Sequence, residues 1–357
     1  MSYLVALNAS ESFKRNFKTL YDRFKSFQKI YEAKEDDLKG IPELRVRSLD
    51  SLLSIRSKFK PGLGFDRLQG RDVHLVTYWD SEYPESLRNI HNAPPLLYVC
   101  GDLKYDFALS IAIVGTRRAG QYGRNQGYKL AKELSEMGFT VISGGASGID
   151  SEAHKGCLDA NGRTFAIFGS GIDMVFPSEN RKLFKTISSK GALVSEFPPG
   201  TPPEPFRFPV RNRIIAGMSR GLLVVEASQK SGALITAEFA IEMGRDVMAI
   251  PGQIDNPNAA GVNQLIRDGA FMILSAEDVL SVFNLALQKR IKTENLPPLS
   301  EMQRKVVNAV GYEPKHVDDI AIEMKIPVSD MLGLLLGLQI DGHVKELVGK
   351  RYVRITS

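Results

Sequence analysis

The sequence predicts an α/β protein whose centre is a doubly wound, mostly parallel sheet. Two observations carry that prediction. From Ile111 onward, short apolar runs alternate regularly with loops and amphipathic stretches, the pattern made by strands with helical crossovers. The runs are also apolar along their length, as strands covered on both faces are. The pattern changes at both ends. Residues 1–70 form an expected helical module, 71–290 the sheet domain and 291–357 a small C-terminal domain.

The N-terminal module rests on helical stripes. In "FKTLYDRFKSFQKIYEA", Phe17, Leu20, Tyr21, Phe24, Phe27, Ile30 and Tyr31 recur at helical spacing. These aromatics read as core side chains. "PELRVRSLDSLLSIR" repeats the pattern, with Pro42 expected in a first helical turn. "VHLVTYWDSEYPESLRNIHNAPPLLYVCGDL" then leads through strand-like pieces and turns to the central region.

The expected strands are "IAIVG" (111–115), "FTVIS" (139–143), "TFAIFG" (164–169), "ALVSEF" (192–197), "GLLVVEA" (221–227) and "DVMAIPG" (246–252). The intervening "GYKLAKELSEMG" and "ALITAEFAIEMG" each close on a glycine, as a helix C-terminus favours. "NLALQKRIKTENLPPLSE" (284–301) is polar with paired prolines and reads as a linker. Beyond it, helices are expected near 301–310, 316–324 and 328–341, then two short strands around Gly349. Helices followed by a hairpin predict a winged helix.

Composition excludes several classes. At 43% hydrophobic and 24% charged residues the chain is neither disordered nor membrane-like. No stretch approaches the ~18 continuous apolar residues of a transmembrane helix, and the N-terminus does not read as a signal peptide. Cys100 and Cys157 lack metal-ligand or CxxC spacing, so a reduced, cytoplasmic chain is expected, with no metal or cofactor. Lys plus Arg exceed Asp plus Glu by 17 to 15 in residues 1–110 and by 21 to 18 in 111–295, and equal them at 8 to 8 in 296–357. Any anion site must therefore be a local cluster.

That cluster is expected at the carboxyl ends of the strands, where open parallel sheets bind ligands. Those ends read GTRRAGQYG (115–123), SGGASGID (143–150), GSGID (169–173), EFPPG (196–200), EASQKSG (226–232) and PGQ (251–253). Glycine-dense loops let backbone N–H groups approach an anion, and the following helix N-termini favour negative charge. Neither GxGxxG nor GxxxxGK[ST] is present, which argues against a dinucleotide or P-loop site. Basic residues instead spread over four connections: Arg117 and Arg118; Arg181 and Lys182; Arg207, Arg211 and Arg213; and Lys230. A chain of phosphates fits that spread better than one pyrophosphate.

Arg211 and Arg213, two apart, are expected to divide their duties. One grips phosphate and the other pairs with Glu226, with the helix beginning after Pro209. For Arg213 an ion pair stands as an equal alternative to phosphate. A catalytic set is hard to assemble from Asp150, His154, Glu196 and Glu226, which no hydrolase or metal spacing links. "GIDSEAH" reads as a base with its orienter or, preferably, as Asp150 capping a helix and supporting the glycine loop.

The ordered set GTRRAGQYG, SGGASGIDSEAH, GSGIDMVFPSEN, SEFPPGTPP, FPVRNRIIAG, VVEASQKSGALITA and IPGQ with GVNQLI resembles the DprA, or Smf, family of bacterial DNA-processing proteins. "YPESLRNIHNAPPLLYVCGDL" upstream is similar as well. The resemblance implies an extended Rossmann-like domain that binds single-stranded DNA, forms a homodimer and loads RecA recombinase during natural transformation, without established catalysis. It also implies a sterile-alpha-motif-like N-terminal module.

Residue by residue, Arg117 matches the family's DNA-contacting arginine; Arg211, Asn212 and Arg213 match its RNR motif, and Lys230 its KSG motif. The candidate DNA-binding set is completed by Arg118, Ser143, Gly144, Gly145, Asn180, Arg181, Lys182, Ser231 and Gly232. Ser147 stands where many relatives of that family carry arginine and Ser178 where some carry lysine, which weakens two expected phosphate contacts and leaves Arg118, Arg181 and Lys182 to compensate.

The C-terminal domain resembles the winged-helix tail of longer relatives. Its third helix, "VSDMLGLLLGLQIDG", holds no Arg or Lys, so protein contact or dimer support is favoured over DNA reading. The alternative function is a nucleotide-processing enzyme of the phosphoribohydrolase type. Its PGGxGTxxE motif falls near "ASQKSGALITAE", where the paired glycines are missing and Glu238 remains.

Overall fold

The computed structural model describes residues 1–42, 44, 46–58, 60, 61, 68, 72–285, 299–311, 314–341, 343–347 and 349–354. Contacts divide the chain into two compact units, Met1–Leu285 and Ala286–Ser357. Most of the expected linker, residues 286–298, lies outside the described residues.

In the first unit the strands are β1 (His74–Thr77), β2 (Leu96–Gly101), β3 (Ser110–Val114), β4 (Thr140–Ser143), β5 (Thr164–Phe168), β6 (Ala192–Ser195), β7 (Gly221–Val224), β8 (Asp246–Ala249) and β9 (Phe271–Met272). Their order is β1-β2-β6-β5-β4-β3-β7-β8-β9. Strands β3 to β9 pair in parallel; β2 runs antiparallel to both β1 and β6. The winding reverses between β3 and β7, which places a switch point at their carboxyl ends.

Side chains along β3 show why the strand runs are apolar throughout. Ile111 and Ile113 enter one core with Leu130, Leu134 and Ala153 of the Gln121–Glu136 and Ile149–Asp159 helices. Ala112 and Val114 enter the opposite core with Ile214, Ala233 and Ala237 of the Arg207–Gly217 and Gly232–Glu242 helices. Alternate side chains point to opposite faces, so a strand covered on both must be apolar at every position.

The N-terminal helices Ser2–Leu7, Glu11–Phe24, Phe27–Glu32, Glu35–Lys39 and Val46–Lys58 cover one end of the sheet. Phe13, Phe17, Leu20 and Ile30 share a core with Leu96, Tyr98, Ala166, Phe168 and Leu193. The expected stripe is indeed core. Pro42 precedes the Val46–Lys58 helix by four positions and is not in its first turn. No helix among the described residues is long and apolar enough to cross a membrane.

The second unit holds helices Glu301–Val310, Val317–Met324 and Val328–Ile340 with β10 (Lys315–His316), β11 (Val344–Leu347) and β12 (Arg351–Arg354). The three strands are antiparallel in the order β10-β12-β11. Val306, Ile320, Leu335, Leu338 and Tyr352 form its core. This is a winged helix with one short strand beyond the expected hairpin.

Candidate nucleic-acid interface

At the switch point, the ends of β3 and β7 and the start of the Arg207–Gly217 helix enclose a groove of about 450 Å³. A cavity of about 80 Å³ adjoins it and shares Arg117, Ala146, Phe208 and Arg211. The helix carries Pro209 as its third residue, inside the first turn, where no backbone N–H is required. It therefore begins two residues before that proline and not after it.

Arg117, Arg118 and Lys230 are exposed and line the groove. The Arg117 guanidinium lies 4.7 Å from the Phe208 ring centroid. Phe208 in turn sits 5.7 Å from Phe176, which is 43% exposed. Cation and rings thus form one surface, with charge for phosphate and flat apolar faces for bases. Phe176 and Phe208 were absent from the expected set. The signal was present: "VFP" and "FRFP" set phenylalanine against proline and arginine in loops otherwise rich in glycine and polar residues.

Arg211 and Arg213 diverge, and the ion pair is made by Arg213 with Glu196 in place of Glu226. Both are buried. Arg211 Nη1 donates to the carbonyls of Gly144 (2.8 Å) and Ile167, and Nε donates to Asn212 Oδ1 at 3.1 Å. It binds the ends of β4 and β5 to the helix, with one side of its guanidinium reaching the groove floor. Burial lowers its pKa to about 10, against the pull of Asp150. Arg213 forms a fork on Glu196, at 2.6 Å from Oε1 and 2.8 Å from Oε2, and also donates to the Asn92 and Val210 carbonyls. Arg207 pairs with Glu204 at 2.6 Å.

Among the described residues, Glu226 pairs with no arginine. Its carboxylate accepts the Gly120 N–H at 3.2 Å, at the start of the Gln121–Glu136 helix. Asp150 accepts the N–H groups of Gly144 (3.1 Å) and Ala146 (3.3 Å) and so supports the glycine loop. It does so as the second residue of its helix, behind Gly148, not as the cap. Two glycine loops expected to cradle an external anion are therefore turned on internal carboxylates. A helix N-terminus satisfied this way has little left for a phosphate.

The other candidates separate into framework and surface. Ser143 is fully buried and donates to the Ile113 carbonyl at 2.6 Å. Gly144 and Gly145 are buried beside it. Asn180 donates to the Gly145 carbonyl (3.0 Å) and Ser151 Oγ (2.8 Å). These four hold the loop and offer no side chain to a ligand. Asn212 donates to the Gly232 carbonyl at 3.2 Å, and Ser231 caps the Gly232–Glu242 helix by accepting the Ala233 N–H. Arg181 and Lys182 are exposed at the start of the Arg181–Lys190 helix, outside the lining of the groove. Ser147 donates to Glu179 at 2.8 Å, so an acidic side chain stands beside it.

Of the candidate acid–base residues, Asp150, Glu196 and Glu226 are engaged as above, and His154 is enclosed. His154 is fully buried, burial drives its pKa down to about 3, and its Nδ1 lies 2.7 Å from Thr164 Oγ1. The Thr164 hydroxyl donates to the Val141 carbonyl, so it accepts from Nδ1–H and sets the tautomer. Among the described residues no group of three or more His, Cys, Asp or Glu is placed to hold a metal ion.

Comparisons with known proteins show the family. The DNA recombination-mediator protein A family matches residues 74–284, and the DprA winged helix domain matches residues 291–350. Protein Smf of a Synechocystis strain is 33% identical over 374 residues, 94% of each chain. The structure of DNA processing protein A from Streptococcus pneumoniae is 31% identical with a TM-score of 0.68, over 79% of this chain and 97% of that one. A Helicobacter pylori DNA processing protein A, described for its single-stranded-DNA binding mode, is 26% identical with a TM-score of 0.55, over 60% of this chain and 97% of that one. With a family match over more than half its length and an Smf relative alike from end to end, the chain belongs to the DprA/Smf family of DNA recombination-mediator proteins.

Proposed function

We propose that the groove binds single-stranded DNA with little sequence preference. The observation that carries this reading is the row Arg117–Phe208–Phe176, with Lys230 across the groove. Cations beside exposed rings suit an unpaired strand, whose phosphates and base faces are both accessible. The Helicobacter pylori relative's single-strand binding points the same way. In this reading the protein acts in the cytoplasm, protects incoming strands during natural transformation and passes them to RecA recombinase. It works as a homodimer, for which the exposed Phe271 and Met272 of edge strand β9, with Leu274 beyond it, offer an apolar surface.

Titration against single- and double-stranded oligonucleotides at several salt concentrations tests the binding. Single strands should be preferred, with affinity falling steeply as salt rises. Equal, salt-insensitive binding of both forms would overturn the reading. The phosphoribohydrolase alternative loses support, because Glu238 is exposed on the Gly232–Glu242 helix and does not line the groove. Release of free base from nucleoside monophosphates would restore it.

A further inference from the structure

Strand β1 ends at Thr77, and the chain leaves the sheet through Tyr78 and Trp79. Thr77 pairs with Leu96, two residues before Tyr98 in β2, and Tyr98 pairs with Ser195 of β6. Thr77 is therefore level with Phe197, and Trp79 emerges two residues beyond it, on the same carboxyl edge as the groove. Its ring lies 4.4 Å from Tyr21, 5.3 Å from Phe27 and 5.7 Å from Phe17 (centroid distances). Yet 38% of Trp79 stays exposed. Lys18 lies over Tyr78 at 4.7 Å and Arg88 at 5.2 Å, and Arg15 is exposed on the same Glu11–Phe24 helix as Lys18.

The nearby acidic groups are largely spent. Asp80 accepts the Thr77 N–H at 2.7 Å, Glu11 holds Lys14 at 2.9 Å and Asp22 holds Lys25 at 3.2 Å. Between here and the groove lie further aromatic and basic groups, of which Lys14 and Phe197 are buried and Arg207 and Phe206 reach the surface. Lys14 and Arg207 lie over Phe197 at 4.9 and 5.5 Å, and Arg207 also lies over Phe206, which is exposed two residues before Phe208.

We infer that Trp79, held by Tyr21 and Phe27 and flanked by Lys18, is a second base-stacking platform for the strand that leaves the groove. The inference rests on the reading of the groove as a single-strand site. Five strand spacings separate β1 from β3, roughly 24 Å at ~4.8 Å each. At ~3.4 Å per stacked nucleotide, and about twice that when fully extended, a strand of about three cannot reach both places, whereas one of about twenty can.

Trp79 is the chain's only tryptophan, so indole emission reports on this platform alone. The full chain is titrated with oligothymidylates of about three and about twenty nucleotides, the first too short to span the gap even when fully extended and the second long enough at the stacked rise of ~3.4 Å. Both should bind, and only the longer should quench the emission. Trp79→Ala should weaken the longer oligonucleotide about ten-fold and leave the shorter unchanged; Trp79→Phe should restore most of the loss. Lys18→Glu, a solvent-exposed change, should weaken only the longer one and guards against a folding defect at position 79. Unchanged emission with the bound longer strand, together with equal binding by Trp79→Ala, overturns the inference and leaves the platform to a protein partner. If neither oligonucleotide binds, the groove reading falls and this inference with it.

Discussion

Arg213 grips Glu196 through both guanidinium Nη atoms, at 2.6 and 2.8 Å, with the carboxylate 1% exposed. Lys14 approaches the same carboxylate at 3.8 Å. The pair thus joins the Arg207–Gly217 helix to the end of β6, and Arg213 Nε adds the Asn92 carbonyl. Arg213→Ala leaves Glu196 buried with only a distant cation, a loss of about 3–5 kcal/mol. Thermal or denaturant unfolding should show that loss. Binding should fall only as far as folding does. Arg213→Lys, without the planar fork, should recover part of it.

Arg117 has the opposite profile. It is exposed and rests on Phe208 without an ion pair to break. Arg117→Ala should weaken single-strand binding by about 1–3 kcal/mol, as lost charge-assisted bonds do, and leave the melting temperature unchanged. The slope of log affinity against log salt should fall by about 0.7 for each phosphate that is no longer neutralised. Lys230→Ala should behave alike. If both variants bind like the parent at every salt concentration, the groove does not hold phosphate.

The rings should separate from the charges in the same assay. Phe176→Ala removes a stacking face and no charge, so affinity should drop by about 1–3 kcal/mol with the salt slope intact. A changed slope would mean that Phe176 acts through Arg117 and not on a base.

The strands were readable because double-sided burial demands apolar runs, and all six expected runs contain strands. The winged helix was readable from helix spacing. What escaped was anything decided by non-consecutive neighbours. β7 lies beside β3 in the sheet, so Glu226 lands on the helix that follows β3, and no local pattern places it there. Arg211 and Arg213 turn inward in different directions because their helix is enclosed by the ends of β4 and β5 on one side and by Glu196 and Asn92 on another. Spacing alone showed that they diverge. It did not show that both directions lead into the protein. Edge strands β1 and β9, the antiparallel β2 and the short β10 had weak signals, since the antiparallel pieces follow turns and β9 and β10 are two residues each.

His154 makes stability depend on acid. Its folded pKa is lowered to about 3 by burial, against ~6.5 in the unfolded chain. Between those values the unfolded state binds a proton that the folded state refuses. The contribution is therefore fully present above pH ~6.5 and is lost as pH falls toward 3, by about 1.4 kcal/mol per pH unit. Glu196, held below its ordinary value because Arg213 and Lys14 outweigh its burial, adds a loss of the same sign below pH ~4.5. His154→Asn keeps a donor for Thr164 and cannot titrate. Unfolding free energies at pH 7.5, 6 and 5 should fall more steeply in the parent than in this variant, and parallel curves would place the titration elsewhere.

Glu226, expected to pair with an arginine, anchors the start of a helix instead. Glu226 is 5% exposed and accepts the Gly120 N–H, at the start of a helix whose first turn contains no acidic residue. A carboxylate there complements the helix dipole by up to ~2 kcal/mol in a partly buried setting. Gly123 makes the room. A Cβ at position 123 would stand 1.9 Å from Glu226 Oε2, so Gly123→Ala must expel the carboxylate. Expulsion also pulls on the loop before the helix, because the Thr116 N–H donates to the Glu226 carbonyl at 2.7 Å, next to Arg117. Gly123→Ala should therefore lower stability by about 1–3 kcal/mol through overpacking and weaken single-strand binding as well. Glu226→Ala should also destabilise, by losing the helix-start interaction. In the double variant the small side chain at 226 relieves the clash, so the combined loss should be smaller than the sum, a coupling of about 0.5–3 kcal/mol for contacting residues. Denaturant unfolding of the parent, both single variants and the double variant measures it directly. Strictly additive losses would mean that Glu226 does not lie against Gly123, and that the first glycine loop is open to an external anion after all.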